Sequence, residues 1–79
     1  MPSESQPLTS LLVGHKAVVT SIDVPAESRG RILEMGLLVG TPVELIRFAP
    51  MGDPVEIKVR GYHLSLRKNE AQLIQVKSQ

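Results

Sequence analysis

The chain has 79 residues, room for one domain with one modest core. It has no cysteine, which excludes disulfides, zinc–thiolate sites and thiol nucleophiles, and nine Lys/Arg against eight Asp/Glu leave a net charge of +1, too balanced for general attraction to phosphate backbones. Its 42% apolar residues include one Phe, one Tyr and no Trp, so close aliphatic packing must supply the stability.

Residues 1–7, MPSESQP, are polar, lack the basic start and apolar run of a signal peptide, and read as a disordered tail before a domain over 8–77. No apolar stretch approaches the roughly 18 residues of a membrane helix. A cytoplasmic protein without direct membrane insertion is therefore expected. PLTSLLVG reads as a single helical turn, with Leu8, Leu11 and Leu12 at helical spacing and Gly14 ending it. His15 to Ile22 is rich in β-branched residues and reads as a strand, with DVPAES as the loop after it.

The spacing predicts one short helix over 28–35, capped by Ser28, with Asp23 as a weaker candidate for an earlier start. Ile32, Leu33 and Met35 form its apolar face, while Arg29, Arg31 and Glu34 turn to solvent. Gly36 fits the left-handed residue that ends a helix, and Leu37 packs back on the last turn. Gly30 costs the helix about 1 kcal/mol relative to alanine, so it depends on packing against a sheet.

Four strands follow, TPVELIRF, PVEIKVR, YHLSLR and AQLIQV, with one helical turn at RKNE. Val55, Ile57 and Val59 alternate with Glu56, Lys58 and Arg60, and Tyr62, Leu64 and Leu66 with His63, Ser65 and Arg67. Gly61 makes the turn between them; its register places Glu56 opposite Arg67 or opposite Ser65. Leu45, Ile46 and Phe48 cannot share one face, so their strand is buried twice or bends sharply. Five short strands and one helix, placed between the first and second strands, predict a mainly β fold, a small, strongly bent five-stranded barrel.

Convergent catalytic groups are not evident, and no cofactor is expected. His15 and His63 are weak metal candidates; His63, Glu56 and Glu70 could approach one another, yet no HxxxH or CxxC spacing supports them. GHKAV lacks the rest of a P-loop and opens a strand. One Tyr and one Phe cannot line a groove for proline-rich peptides or a platform for single-stranded nucleic acid. At the turn APMG, Pro50 and Gly52 fit the second and fourth positions, and Pro54 suits a strand start. Met51 then either projects from a stiffened tip or folds back over the barrel end.

The run from Arg31 to Ala71 resembles the FeoA family, small cytoplasmic proteins of bacterial ferrous iron uptake. The resemblance rests on Met35-Gly36-Leu37, the Gly40-Thr41 turn, Ala49 to Pro54, Arg60-Gly61-Tyr62 and Leu64 to Arg67; Gly30 departs from the family pattern. It implies an SH3-like barrel that is a non-enzymatic accessory of FeoB, a membrane iron transporter with a cytoplasmic G-protein domain. On that reading the chain is peripheral to the inner membrane through its partner, and monomeric or weakly dimeric. The expected contact residues are Met51, with Gly52 and Asp53 shaping the tip, and Arg29 and Arg31. A transition-metal sensor or carrier and a small nucleic-acid-binding barrel are the alternatives.

Overall fold

The strand expected over His15 to Ile22 forms from Lys16 to Ile22 and sits at the centre of a single antiparallel sheet. A computed structural model describes residues 5–79, so most of the expected N-terminal tail lies outside the described residues. In chain order the elements are β1 (Gln6–Pro7), a 3₁₀ turn (Leu8–Ser10), β2 (Lys16–Ile22), α1 (Ala26–Glu34), β3 (Pro42–Phe48), β4 (Val55–Val59), β5 (Tyr62–Leu66), α2 (Lys68–Ala71) and β6 (Ile74–Ser78). The sheet order is β1-β6-β2-β3-β4-β5. The five strands expected from sequence are β2 to β6. The two-residue β1 is additional: Gln6 and Pro7, placed in the tail by composition, pair with Val76 and Gln75.

Two irregularities bend this sheet around its core. The β2–β6 register shifts between Val19 and Ser21, and the β3–β4 register between Leu45 and Arg47. The second leaves Ile46 as an extra residue, which is why Leu45 and Phe48 both pack toward the core despite an odd spacing. Leu45, Ile57, Leu66, Ile74 and Val76 are fully buried between the curled faces, with Leu8 and Leu11 closing one side. No helix among the described residues is long and apolar enough to cross a membrane.

The helix differs from expectation at its start. It begins at Ala26 rather than Ser28, with Pro25 in the capping position at φ −56°. Proline's preset φ and missing N–H suit a helix entrance, and the Pro25 carbonyl accepts from Ser28 and Arg29. Its apolar face is also narrower than expected, since Ile32 is buried, Met35 is half-buried and Leu33 is exposed. The final strand starts at Ile74, because Ala71 belongs to α2.

The end of α1 forms as its sequence suggested. Gly36 at φ +93° donates to the Leu33 carbonyl and Leu37 reaches the Ile32 carbonyl at 3.4 Å, the paired bonds that close a helix with a left-handed residue. Leu37 is fully buried. From β5, the Tyr62 hydroxyl donates to the Met35 carbonyl at 2.6 Å. A side chain on residue 36 would collide with that hydroxyl. Gly36→Ala is therefore expected to cost about 2 kcal/mol or more in urea denaturation followed by far-ultraviolet circular dichroism. In a Tyr62→Phe background the penalty should shrink by roughly 1 kcal/mol, because the colliding oxygen is gone; strictly additive costs would contradict this account.

Candidate docking site

The β3–β4 hairpin ends in a rigid loop. Gly52 donates to the Ala49 carbonyl at 2.7 Å, closing a β-turn with Pro50 second and Gly52 fourth, the latter at φ +83°. Ala49 donates to the Pro54 carbonyl at 2.9 Å, and the Asp53–Pro54 peptide bond is cis. Met51 is 92% exposed and points away from the body, which decides between the two positions open to it from sequence.

Asp53 has a larger part than shaping the tip. Its Oδ1 accepts the Lys68 backbone N–H at 3.0 Å, so the hairpin supplies an acceptor to the first turn of α2. Lys68 Nζ also lies 3.9 Å from where a side chain on Gly52 would begin. On the other side of α2, Glu70 is buried, accepts from the Arg67 backbone N–H at 3.4 Å and pairs with Arg31 of α1. The single turn of α2 thus joins the hairpin tip to the basic helix.

Arg29 and Arg31 do not simply extend into solvent as expected. Arg29 donates to the Ile22 carbonyl at 3.1 Å, tying α1 to the end of β2. Arg31, whose side chain is 49% exposed, holds Glu70 and reaches the Met35 sulfur at 3.7 Å. Each presents part of its guanidinium outward while the rest fixes α1. The bulge at Ile46 brings Arg47 opposite Glu56, giving a hydrogen bond of 3.0 Å and raising the Arg47 pKa through that bond and the carboxylate charge.

The carboxylates considered with His63 are therefore committed elsewhere, Glu56 to Arg47 and Glu70 to Arg31. Glu56 stands opposite Ser65, the second of its two open registers, and His63 stands opposite Lys58 on the β5 edge. His15 lies just before β2 and is exposed. Among the described residues no three His, Asp or Glu side chains gather as a metal cluster. The contacts sequence reasoning missed, Asp53 with Lys68 and Arg31 with Glu70, span 15 and 39 residues. The Asp53 contact had one partial signal, an acidic residue in a hairpin shortly before a helical turn.

The FeoA domain model matches residues 6–78. The Fe(2+) transport protein A/Fe(2+) transporter FeoB fusion protein of Porphyromonas gingivalis is 36% identical over 69 residues, covering 87% of this chain; the chain spans only 8% of that protein. The solution structure of the Chlorobium tepidum FeoA protein superposes with a TM-score of 0.87 at 38% identity, over 92% of this chain and 70% of that one. The Stenotrophomonas maltophilia FeoA, solved with zinc and described as a prokaryotic SH3 domain protein, gives a TM-score of 0.74 at 28% identity, over 94% of this chain and 89% of that one.

Removing the Asp53 carboxylate should loosen the hairpin from α2. Asp53→Ala is expected to cost about 1 kcal/mol of stability, with Asp53→Asn costing less. Hydrogen exchange at the Lys68 amide checks the cause, since it should accelerate in the alanine variant more than exchange at core amides.

Proposed function

Since the chain belongs to the FeoA family, we propose that it is a non-enzymatic accessory of ferrous iron transport that docks on the cytoplasmic part of a FeoB-type membrane transporter. The observation that carries this reading is the Porphyromonas gingivalis relative, in which a region like this chain is joined to a FeoB transporter in one polypeptide. Covalent joining keeps two modules at high effective concentration, which suits partners that act together.

The contact we infer is the hairpin tip. Met51 stands 92% exposed on a loop held by two internal hydrogen bonds and by Asp53 against α2. A knob stiffened in advance loses less conformational entropy on docking, and a thioether side chain adapts to the pocket it enters. The outward parts of Arg29 and Arg31 on α1 add steering charge to the apolar anchor. The protein then works at the inner face of the membrane, held there by its partner.

Met51→Asp should weaken binding to the purified cytoplasmic portion of the transporter by about tenfold or more, a loss of roughly 1.4 kcal/mol. Met51→Leu should retain most of it. Neither change should alter the melting temperature, because the side chain is outside the core. Equal affinity for Met51→Asp and wild type, measured by calorimetry, would remove the hairpin from the interface.

A second reading draws on the zinc complex of the Stenotrophomonas maltophilia relative. On this reading a surface metal site of this chain uses His63 or His15. Lys58 opposite His63 opposes a nearby cation, which makes this the weaker reading. Anaerobic titration with Fe²⁺, comparing wild type with His15→Ala and His63→Ala, tests it; affinity no tighter than millimolar in all three ends it.

A further inference from the structure

Four polar residues stand in line across the outer face of the sheet, each opposite the next: Lys16 with Glu44, Glu44 with Lys58, and Lys58 with His63. Cross-strand partners share a face, so this row is one surface. Beside it lies a shallow hollow of about 300 Å³ whose lining includes Lys16, Glu44, Lys58, Arg60, Gly61 and Gln79. The Gln79 N–H donates to the Lys16 carbonyl at 3.1 Å and fixes that wall. Three cationic side chains thus surround one carboxylate. The ion pairs among the described residues are Arg31 with Glu70 and Arg47 with Glu56, so none of these three cations is paired.

Arg60 gives a second, separate observation. It occupies the first central position of the two-residue β4–β5 turn at φ +48°, with Gly61 following at +91°. Turns with two positive-φ residues favour Asn, Asp or Gly at that first position, and arginine there costs stability. Held strain of this kind points to a use for the side chain.

We propose that this hollow docks an acidic peptide segment, extended and carrying two carboxylates. Glu44 in the middle disfavours one compact anion at the centre. Lys16 and Lys58 lie two strands apart, roughly 10 Å between backbones, so two anionic groups can straddle Glu44. An extended chain in the polyproline II form rises about 3.1 Å per residue with about three residues per turn, so acidic residues three positions apart share one face at a separation of about 9 Å. No aromatic side chain lines the hollow, which leaves a nucleobase without a stacking surface. The site lies at the opposite end of β4 from the Met51 tip, and it stands independently of the docking reading above.

The test is a nuclear magnetic resonance titration of the full ¹⁵N-labelled chain with a capped hexapeptide bearing two glutamates three positions apart. Parallel arms use its glutamine analogue, inorganic phosphate and single-stranded polyuridylate. The acidic peptide should shift the amides of Lys16, Glu44, Lys58 and Gly61, with the shifts fading as salt rises; the glutamine analogue should not shift them. Arg60→Gly suits the turn, so its melting temperature should not fall, and combined with Lys58→Gln it should weaken the peptide about tenfold. Glu44→Gln should tighten binding, and Met51→Asp should bind the peptide as wild type does. Shifts centred elsewhere overturn the proposal, as do equal binding of the glutamine analogue, or phosphate or polyuridylate matching the peptide at these amides.

Discussion

Ile46 has no counterpart across the ladder, and the geometry beyond it follows from that one surplus residue. A strand that kept strict alternation would send Phe48 to the face opposite Leu45 and leave the hairpin pointing along the sheet. The bulge bends β3, returns Phe48 to the core side, and sets Arg47 against Glu56 on the outside. A curled sheet is also what a chain with so few large side chains requires. Flat strands lined with valine and leucine would leave an unfilled slot, whereas a bent sheet brings its aliphatic rows onto one another. The radius of gyration, 11.4 Å, is close to the roughly 12 Å expected for a compact chain of this length.

Between the curled sheet and its peripheral helix sits α2, only four residues long. A helix that short has no stability of its own, because nucleation fixes several residues for a single hydrogen bond. One orphan donor, the Lys68 N–H, is met from outside by Asp53, and Glu70 within the turn reaches back to the Arg67 N–H. Glu70 in turn holds Arg31, and α1, which fully buries only Ile32, is also fastened by polar contacts at both ends, Arg29 at the start and Tyr62 at the finish. Such contacts contribute on the order of 1 kcal/mol each, enough to orient a loop or a helix while the buried aliphatic residues keep the fold together.

What the sequence disclosed divides along the same line. β4 and the ending of α1 at Gly36 and Leu37 depend on spacing within a few residues, and both were readable from the chain. The broken alternation at Leu45, Ile46 and Phe48 announced a bend without saying which residue was extra. The start of α1 was misplaced because Ser28 obeys the usual side-chain capping preference, while Pro25 acts through backbone geometry alone. β1 escaped notice because two residues carry no period, and their pairing depends on β6 at the far end of the chain. Leu33 is apolar but lies about 100° around α1 from Ile32, and burial reaches only Ile32 and, in part, Met35 on the neighbouring side. At the site, Met51 and the turn around it were visible, but the tie from Asp53 to α2 and from Glu70 to Arg31 joins distant segments that no local pattern records.

Tyr62 carries one more consequence. The chain has no tryptophan and a single tyrosine, whose hydroxyl rests on the Met35 carbonyl above Gly36. Its near-ultraviolet absorbance and intrinsic emission therefore arise almost wholly from one ring, stationed where the peripheral helix meets the sheet. An optical melting curve of this protein reports the detachment of that seam, and amide dichroism is needed to follow the aliphatic interior.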